Sequence, residues 1–354
     1  MPTILLKNGR IFDGTYRTAD LYIRNGIIEK IGENLPLTAP VTIDAAGKTI
    51  LPGLVDIHTH LRGPSPDWLG APAQAGCFPF GVTAAADCAA LEDHREAVEL
   101  MGIDAVVFPI AGTANDTGSF ASAKAHMEHY GPYVGGIKVF FDLHDDPTLH
   151  STKPLEEICE FAHSHDLPVM VHSNGTPIPM SEILRVLGPG DILSHPYHGG
   201  ENTLRDCGFD CVLEAKARGV VIDASFAGSY HVDFSIFRDA VAAGAEPDTI
   251  STDLTVNNLF VAGGGRYGLT MCMAMAREAG MTEEAIFKAV TTTPAQALKK
   301  PWGKLTEGGP ADLCMLSWEE APWGMTDRYG NRLESRQSYR CHLTVKNGTV
   351  VHRN

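Results

Sequence analysis

The chain has 354 residues, 44% of them hydrophobic and 20% charged, the balance of a folded protein with a sizeable core. Acidic residues outnumber basic ones by 43 to 28, and the resulting formal charge of −15 repels nucleic acid and anionic membrane surfaces, so neither is expected as a partner. No apolar run reaches the ~18 residues that a membrane span needs. The opening MPTILLKNGRIFDG lacks the zones of a signal peptide, and the eight cysteines are scattered, so a cytoplasmic protein with reduced thiols is expected.

Residues 1–51 alternate short β-rich runs with turns: TILLKNGRIFDG, ADLYIRNGIIEKIG and VTIDAAGKTILPG. Asn8-Gly9 and Asn25-Gly26 are hairpin signals, and Asn347-Gly348 repeats the habit in YRCHLTVKNGTVVHRN at the far end. These ends, 1–51 and 305–354, are expected to join in one small β-domain. Between them, across 52–304, apolar strand candidates follow in order: LVDIHTH (54–60), VTAAAD (82–87), AVVFPIAG (105–112), GGIKVFF (135–141), LPVMVHSN (167–174), DILSHPY (191–197), GVVIDASF (219–226) and TISTDLT (249–255). Helical patterns lie between most of them, such as LEEICEFAHSHD after Pro154, a residue suited to a first helical turn. Near-continuous apolar strands alternating with helices imply a parallel sheet covered on both faces. Eight such strands suit a closed (β/α)8 TIM barrel, an α/β fold. An open doubly wound sheet is the alternative, weakened because no Gly-x-Gly-x-x-Gly turn follows the first strand.

Polar residues fall at conspicuous places on these strands. His58 and His60 end the first, Lys138 sits in the fourth, His172 ends the fifth, His195 the sixth and Asp253 the eighth. Strand side chains alternate between faces, so His58 and His60 point the same way, and in a barrel that direction can be inward at the carboxyl end, where active sites are built. Singly, each has a plain reading: a core histidine, a lysine that snorkels its charge to the strand end, an aspartate that caps the next segment. Together they argue for a site, because imidazole and carboxylate suit Zn, Mn or Fe, whereas Mg or Ca would take mostly oxygens. Burial of Lys138 beside Val139, Phe140 and Phe141 favours its neutral amine.

The ordered set NGRIFDG, IDAAGKTILPGLVDIHTH, GIKVFF, VMVHSNG, ILSHPYHG, ISTDLT, TTTPAQAL and GKLTEGGPADLCML resembles the amidohydrolase superfamily over almost the whole chain. The resemblance implies a (β/α)8 barrel carrying a small β-sandwich domain formed by both chain ends. It further implies two divalent metal ions, zinc being usual. His58, His60 and Asp253 would hold one ion and His172 and His195 the other. Lys138 would bridge them as a carbamate formed with carbon dioxide, alongside a metal-bridging hydroxide that attacks the scissile acyl bond, while Asp253 carries the proton to the leaving group. A homo-oligomer acting on a small molecule is the pattern among such proteins.

Within the superfamily, HTHLRGP is similar to the His-x-His-x-Arg of dihydroorotases, whose arginine binds a carboxylate. The short spacing from His172 to His195 instead resembles the dihydroorotase-like group, which hydrolyses acyl esters or amides of small carboxylic acids such as N-acetyl amino acids or acetylated hydroxy acids. A cyclic amidohydrolase of dihydroorotase or hydantoinase type is the alternative. DASFAGSYHVDF lacks the His-Gly associated with the seventh strand end of that group, and DLTVNN follows Asp253 where a histidine is common. Candidate substrate contacts are Arg62, Asn174, Tyr197, His198, His231, Asn257 and Arg266. Arg62 keeps the parity of the two histidines, and a guanidinium suits a carboxylate through paired hydrogen bonds. His198 and His231 read as loop histidines behind the ligands, and 144–146 as a solvated loop.

Overall fold

A computed structural model describes residues 2–62, 70–90, 101–113, 121–141, 151–259 and 267–354. The chain start supplies β1 (Ile4–Phe12), β2 (Tyr16–Arg24), β3 (Ile27–Gly32), β4 (Val41–Asp44) and β5 (Thr49–Pro52). The middle supplies β6 (Leu54–Thr59), β7 (Leu61–Arg62), β8 (Ala71–Pro72), β9 (Val82–Ala90), β10 (Asp104–Thr113), β11 (Ile137–Phe140), β12 (Val169–His172), β13 (Ile192–Ser194) and β14 (Val221–Asp223). β15 (Leu313–Thr326), β16 (Arg332–Lys346) and β17 (Thr349–Arg353) complete the set.

Both chain ends meet in one mostly antiparallel sheet of order β17-β16-β15-β5-β1-β2-β3, with β4 added at β1. The expected sandwich is therefore one continuous sheet, folded over a core that includes Ile4, Leu6, Leu21, Ile50, Leu313 and Leu343. It divides along β1, where Ile4–Lys7 pair with β4 and Arg10–Ile11 with β5. The division falls at Asn8-Gly9, an irregularity inside β1 and not the hairpin turn that this dipeptide suggests. Asp20 Oδ1 accepts the Asn8 N–H at 2.9 Å, and a Cβ on Gly9 would stand 2.3 Å from the Ile50 side chain, so tertiary packing claims both residues. Asn25-Gly26 and Asn347-Gly348 do turn the chain, each with φ positive at both positions, as a two-residue hairpin loop requires.

The second sheet is parallel, of order β14-β13-β12-β11-β10-β9-β6. Helices lie between successive strands from β10 onward, among them Ala121–Tyr130, Lys153–His163, Met180–Val186 and Asp210–Ala217, and Phe234–Ala242 follows β14. Lys153–His163 starts with Pro154 in its first turn and buries Leu155, Ile158, Phe161 and Ala162. Register places Lys138 beside Met170 and Met170 beside Ile192, and one step on it aligns Phe140, His172, Ser194 and Asp223. The row of Lys138, Met170 and Ile192 thus underlies the row that carries His172, Ser194 and Asp223, because side chains two apart on a strand share a face. The sheet is curled. Residues 249–254 bridge both of its edges, Thr249 to Asp223 and Leu254 to Thr59, with Ala224 N donating to Thr249 O at 3.0 Å and Asp253 N to His58 O at 2.8 Å.

Cys207 and Cys211 are joined by a disulfide across the Gly208 turn, which corrects the expectation that all eight thiols are reduced. The other six cysteines are free and buried. Among the described residues no helix is long and apolar enough to cross a membrane.

Candidate metal centre

The carboxyl ends of the parallel strands are shaped by backbone that L-residues rarely adopt. His195 follows β13 at φ 62°, Ser225 follows β14 at φ 43°, Ala227 has φ 50°, and Asp253 has φ 50°. Left-handed geometry costs roughly 1–2 kcal/mol at each non-glycine position, and it persists only where surrounding structure enforces it. Here the neighbouring strands do so: Phe226 N donates to Ser251 O, Ala227 N to Thr252 O and Asp253 N to His58 O.

These turns gather side chains around the Asp253 carboxylate. His60 Nε2 lies 2.9 Å and His58 Nε2 3.5 Å from Oδ1. On the other oxygen, His231 Nε2 lies 3.7 Å and His195 Nε2 3.8 Å from Oδ2. The His172 ring stacks edge-on against His195 at 4.5 Å and against His231 at 5.0 Å between centroids. Lys138, fully buried, places Nζ 3.0 Å from His58 Nε2. Among the described residues, two groups each bring ligand atoms within 4.8 Å of one another: His58, His195 and Asp253, and His172, His195 and His231.

The groups behind these side chains fix their protonation. Ser225 Oγ lies 2.7 Å and Ser194 Oγ 3.2 Å from His58 Nδ1, and the Asp223 carboxylate accepts from Thr249 Oγ1, Ser251 Oγ and, at longer range, Ser194 Oγ. His195 Nδ1 donates to Ser225 O at 2.6 Å, which leaves Nε2 as the lone-pair nitrogen. That Nε2 is fully buried and has no hydrogen-bond partner among the described residues. Burial pushes His58 and His231 down to about 4, and His172 and His195 well below the usual imidazole value. Burial alone would raise Asp253, but the adjoining His58, His60 and His195 outweigh it and hold the carboxyl well below its ordinary range. Neutral imidazoles around an ionised carboxylate form a donor set for a borderline divalent cation, and an orphaned buried nitrogen is costly unless something binds it.

Residues 49–351 match the model of the amidohydrolase family. The chain belongs to the amidohydrolase family. Membership makes it a hydrolase of amide or ester bonds. It is similar to a deacetylase of Brucella anthropi, 26% identical over 89% of this chain and 83% of the relative. It is also similar to a dihydroorotase of Anaeromyxobacter dehalogenans, 23% identical over 99% and 98%. A dihydroorotase crystal structure superposes with a TM-score of 0.85 at 23% identity, covering 99% of this chain and 98% of that one, a likeness of fold.

In this amidohydrolase the metal candidates of the sequence come together, whereas its substrate candidates divide. Asn174 is half-buried, its carboxamide meeting His231 Nδ1 at 2.6 Å. Tyr197 is not a site residue: it is fully buried, packs on Phe237 and donates to Ala245 O at 2.8 Å. Spacing alone would keep it on the face of His195, two residues before it, but the left-handed turn at His195 breaks that parity. His198 is buried, with Nδ1 3.0 Å from Gly199 O and Nε2 without a hydrogen-bond partner among the described residues. Asn257 is exposed on the turn after Asp253, and it is Asn258, passed over in the sequence, whose Nδ2 donates to Asp253 O at 2.7 Å. The Arg62 side chain, Arg266 and the loop 144–146 lie outside the described residues. His231 stands in the cluster itself and not behind it. Ser194, Asp223 and Ser225 were also missed, although hydroxyls and a carboxylate inside the apolar runs ILSH and VVIDAS were a legible signal.

Proposed function

We propose that this site holds two divalent metal ions, zinc by preference, and that the enzyme cleaves the acyl amide or ester bond of a small carboxylate-bearing substrate. The observation that carries the reading is the Asp253 carboxylate set between two pairs of imidazole nitrogens, with a buried lysine against one pair. His58, His60 and Asp253 would hold one ion and His172 and His195 the other. Lys138 Nζ, as the neutral amine, would add carbon dioxide and release a proton to give a bridging carbamate. When bound, the ions would polarise the scissile carbonyl and acidify a water.

The protein groups do the rest. Ser225 and Ser194 orient His58, and Ser225 O fixes the His195 tautomer. Asp253, ionised and bordered by four imidazoles, is placed to take a proton and return it to the leaving group. The relatives named deacetylase favour an N-acyl or O-acyl substrate, and the dihydroorotases, matched over nearly the full chain, support a cyclic amide as the second reading. We also infer that 249–254 is the eighth strand of a (β/α)8 barrel spanning 52–304, with 1–51 and 305–354 forming the small β-domain.

The test is turnover of N-acetyl amino acids and acetylated hydroxy acids beside dihydroorotate and hydantoins, with metal content measured on the same preparation. Lys138→Ala should lose metal and activity and regain part of both with short-chain carboxylic acids. Full turnover by Lys138→Ala would remove the bridging role.

A further inference from the structure

We propose that His231 is itself a ligand of the second ion, completing a three-imidazole set with His172 and His195. This rests on the two-ion reading above. His58 and His60 share Asp253 Oδ1, and His195 and His231 share Oδ2 in the same manner, at 3.8 and 3.7 Å through their Nε2 atoms. The ligand atoms of His172, His195 and His231 lie within 4.8 Å of one another. Zinc binds imidazole at about 2.0–2.1 Å, so three such nitrogens meet one ion after a closure on the order of 1 Å. The partner nitrogen is within reach of a second group: Asn174 Nδ2 lies 2.6 Å from His231 Nδ1, and turning that carboxamide over would let its oxygen accept the Nδ1 proton and leave the Nε2 lone pair facing the site.

A ligand on a loop needs rigid support, and His231 has it from an unexpected quarter. The hairpin β15–β16 runs out from the terminal sheet, and its tip grips the segment that carries His231. Asp327 Oδ2 accepts Phe234 N at 2.7 Å, Ser229 Oγ donates to Thr326 O at 3.0 Å, and Asn331 Nδ2 donates to Asp233 Oδ1 at 3.1 Å. Arg328 stacks over Tyr230 at 4.5 Å. Tyr329 OH donates to Gly199 O at 2.6 Å, and a Cβ on Gly199 would stand 2.6 Å from the Tyr329 ring. The tip thus spans the turn after His195 and the loop of His231, holding the two rings at 4.5 Å between centroids.

The experiment titrates Zn2+ into metal-stripped wild type, His231→Ala and His172→Ala, with anomalous diffraction from zinc-loaded wild-type crystals. Outer partners of a ligand alter metal affinity about 10–100-fold, so loss of a direct ligand should exceed ~100-fold. His231→Ala is expected to keep the first ion, to bind the second more than ~100-fold more weakly, and to regain it with millimolar free imidazole. The crystals should show an ion about 2.0–2.1 Å from His231 Nε2. If His231→Ala binds the second ion within ~10-fold of wild type while His172→Ala loses it, or the wild-type ion lies beyond ~3 Å from His231, the ligand role is overturned and the two-ion reading stands. If His172→Ala also binds both ions normally, both fall together. The crystallographic arm needs no variant to fold.

Discussion

Ser225 has two functions in one residue, and they can be separated by substitution. Its Oγ is 2.7 Å from His58 Nδ1, its carbonyl accepts His195 Nδ1 at 2.6 Å, and its φ is 43°. Both Ser225→Ala and Ser225→Gly remove the hydroxyl and leave His58 Nδ1 with Ser194 Oγ at 3.2 Å, while the carbonyl to His195 remains. Losing an outer hydrogen bond to a metal-binding histidine typically weakens the metal about 10–100-fold, roughly 1.4–2.7 kcal/mol, so both variants should hold the His58 ion less tightly by a similar factor. Their stabilities should differ. The left-handed backbone costs an alanine about 1–2 kcal/mol and a glycine almost nothing, against about 0.4–1 kcal/mol of extra unfolded-chain entropy for glycine. Glycine should therefore exceed alanine by roughly 0.5–1 kcal/mol, about 1 °C in Tm for a chain of this size. Zinc affinity by chelator competition and Tm of the metal-free proteins read the two effects independently. Native metal affinity in both variants would refute the orienting role. A loss in alanine alone would assign the effect to the backbone.

Asp253→Asn should cut turnover by orders of magnitude while weakening substrate binding far less; unchanged kcat would remove Asp253 as the proton carrier. The metal-free protein should lose stability on acidification. His58 and His231 titrate near 4 when folded and near 6.5 when unfolded, so between those values the unfolded chain holds more protons and stability falls as pH drops. Asp56, raised by burial to about 7 against the pull of its bonds to Thr252, opposes this over the same window, but His172 and His195 add to the imidazole side. Urea midpoints that stay flat or rise from pH 7.5 to 4.5 would contradict the neutral-imidazole account. Asp327→Ala strands the buried Phe234 N–H and leaves Asn331 Nδ2 with Asp233 alone, so a loss of about 1–3 kcal/mol is expected, together with weaker binding of the second ion. Unaltered zinc stoichiometry in a destabilised but folded Asp327→Ala would show that the tip supports the fold and not the site.

Residue types and their order along the strands were enough to single out His58, His60, Lys138, His172, His195 and Asp253, which the fold brings together, because polar groups that end apolar strands must be satisfied by one another or by a ligand. Spacing did not resolve the second rank of residues. Tyr197 shares a segment with His195, yet the left-handed turn at His195 sends it into the core, and nothing in ILSHPYHG announces φ 62°. Asn8-Gly9 carries the same dipeptide as two real turns, but Asp20 and Ile50, distant in sequence, hold it inside a strand.

The sequence by itself pointed to the alternation of strands and helices, the joining of both chain ends in one β-domain, and the residue types of the candidate centre, since each follows from local periodicity and side-chain chemistry. Only the tertiary structure decided that the second pair around Asp253 is completed by His231, and that Ser225 serves two histidines at once. It also decided that a hairpin some hundred residues downstream, 326–331, steadies the loop 229–234. Those relations depend on contacts between segments remote in the chain and on backbone angles imposed by neighbouring strands, neither of which a local pattern encodes.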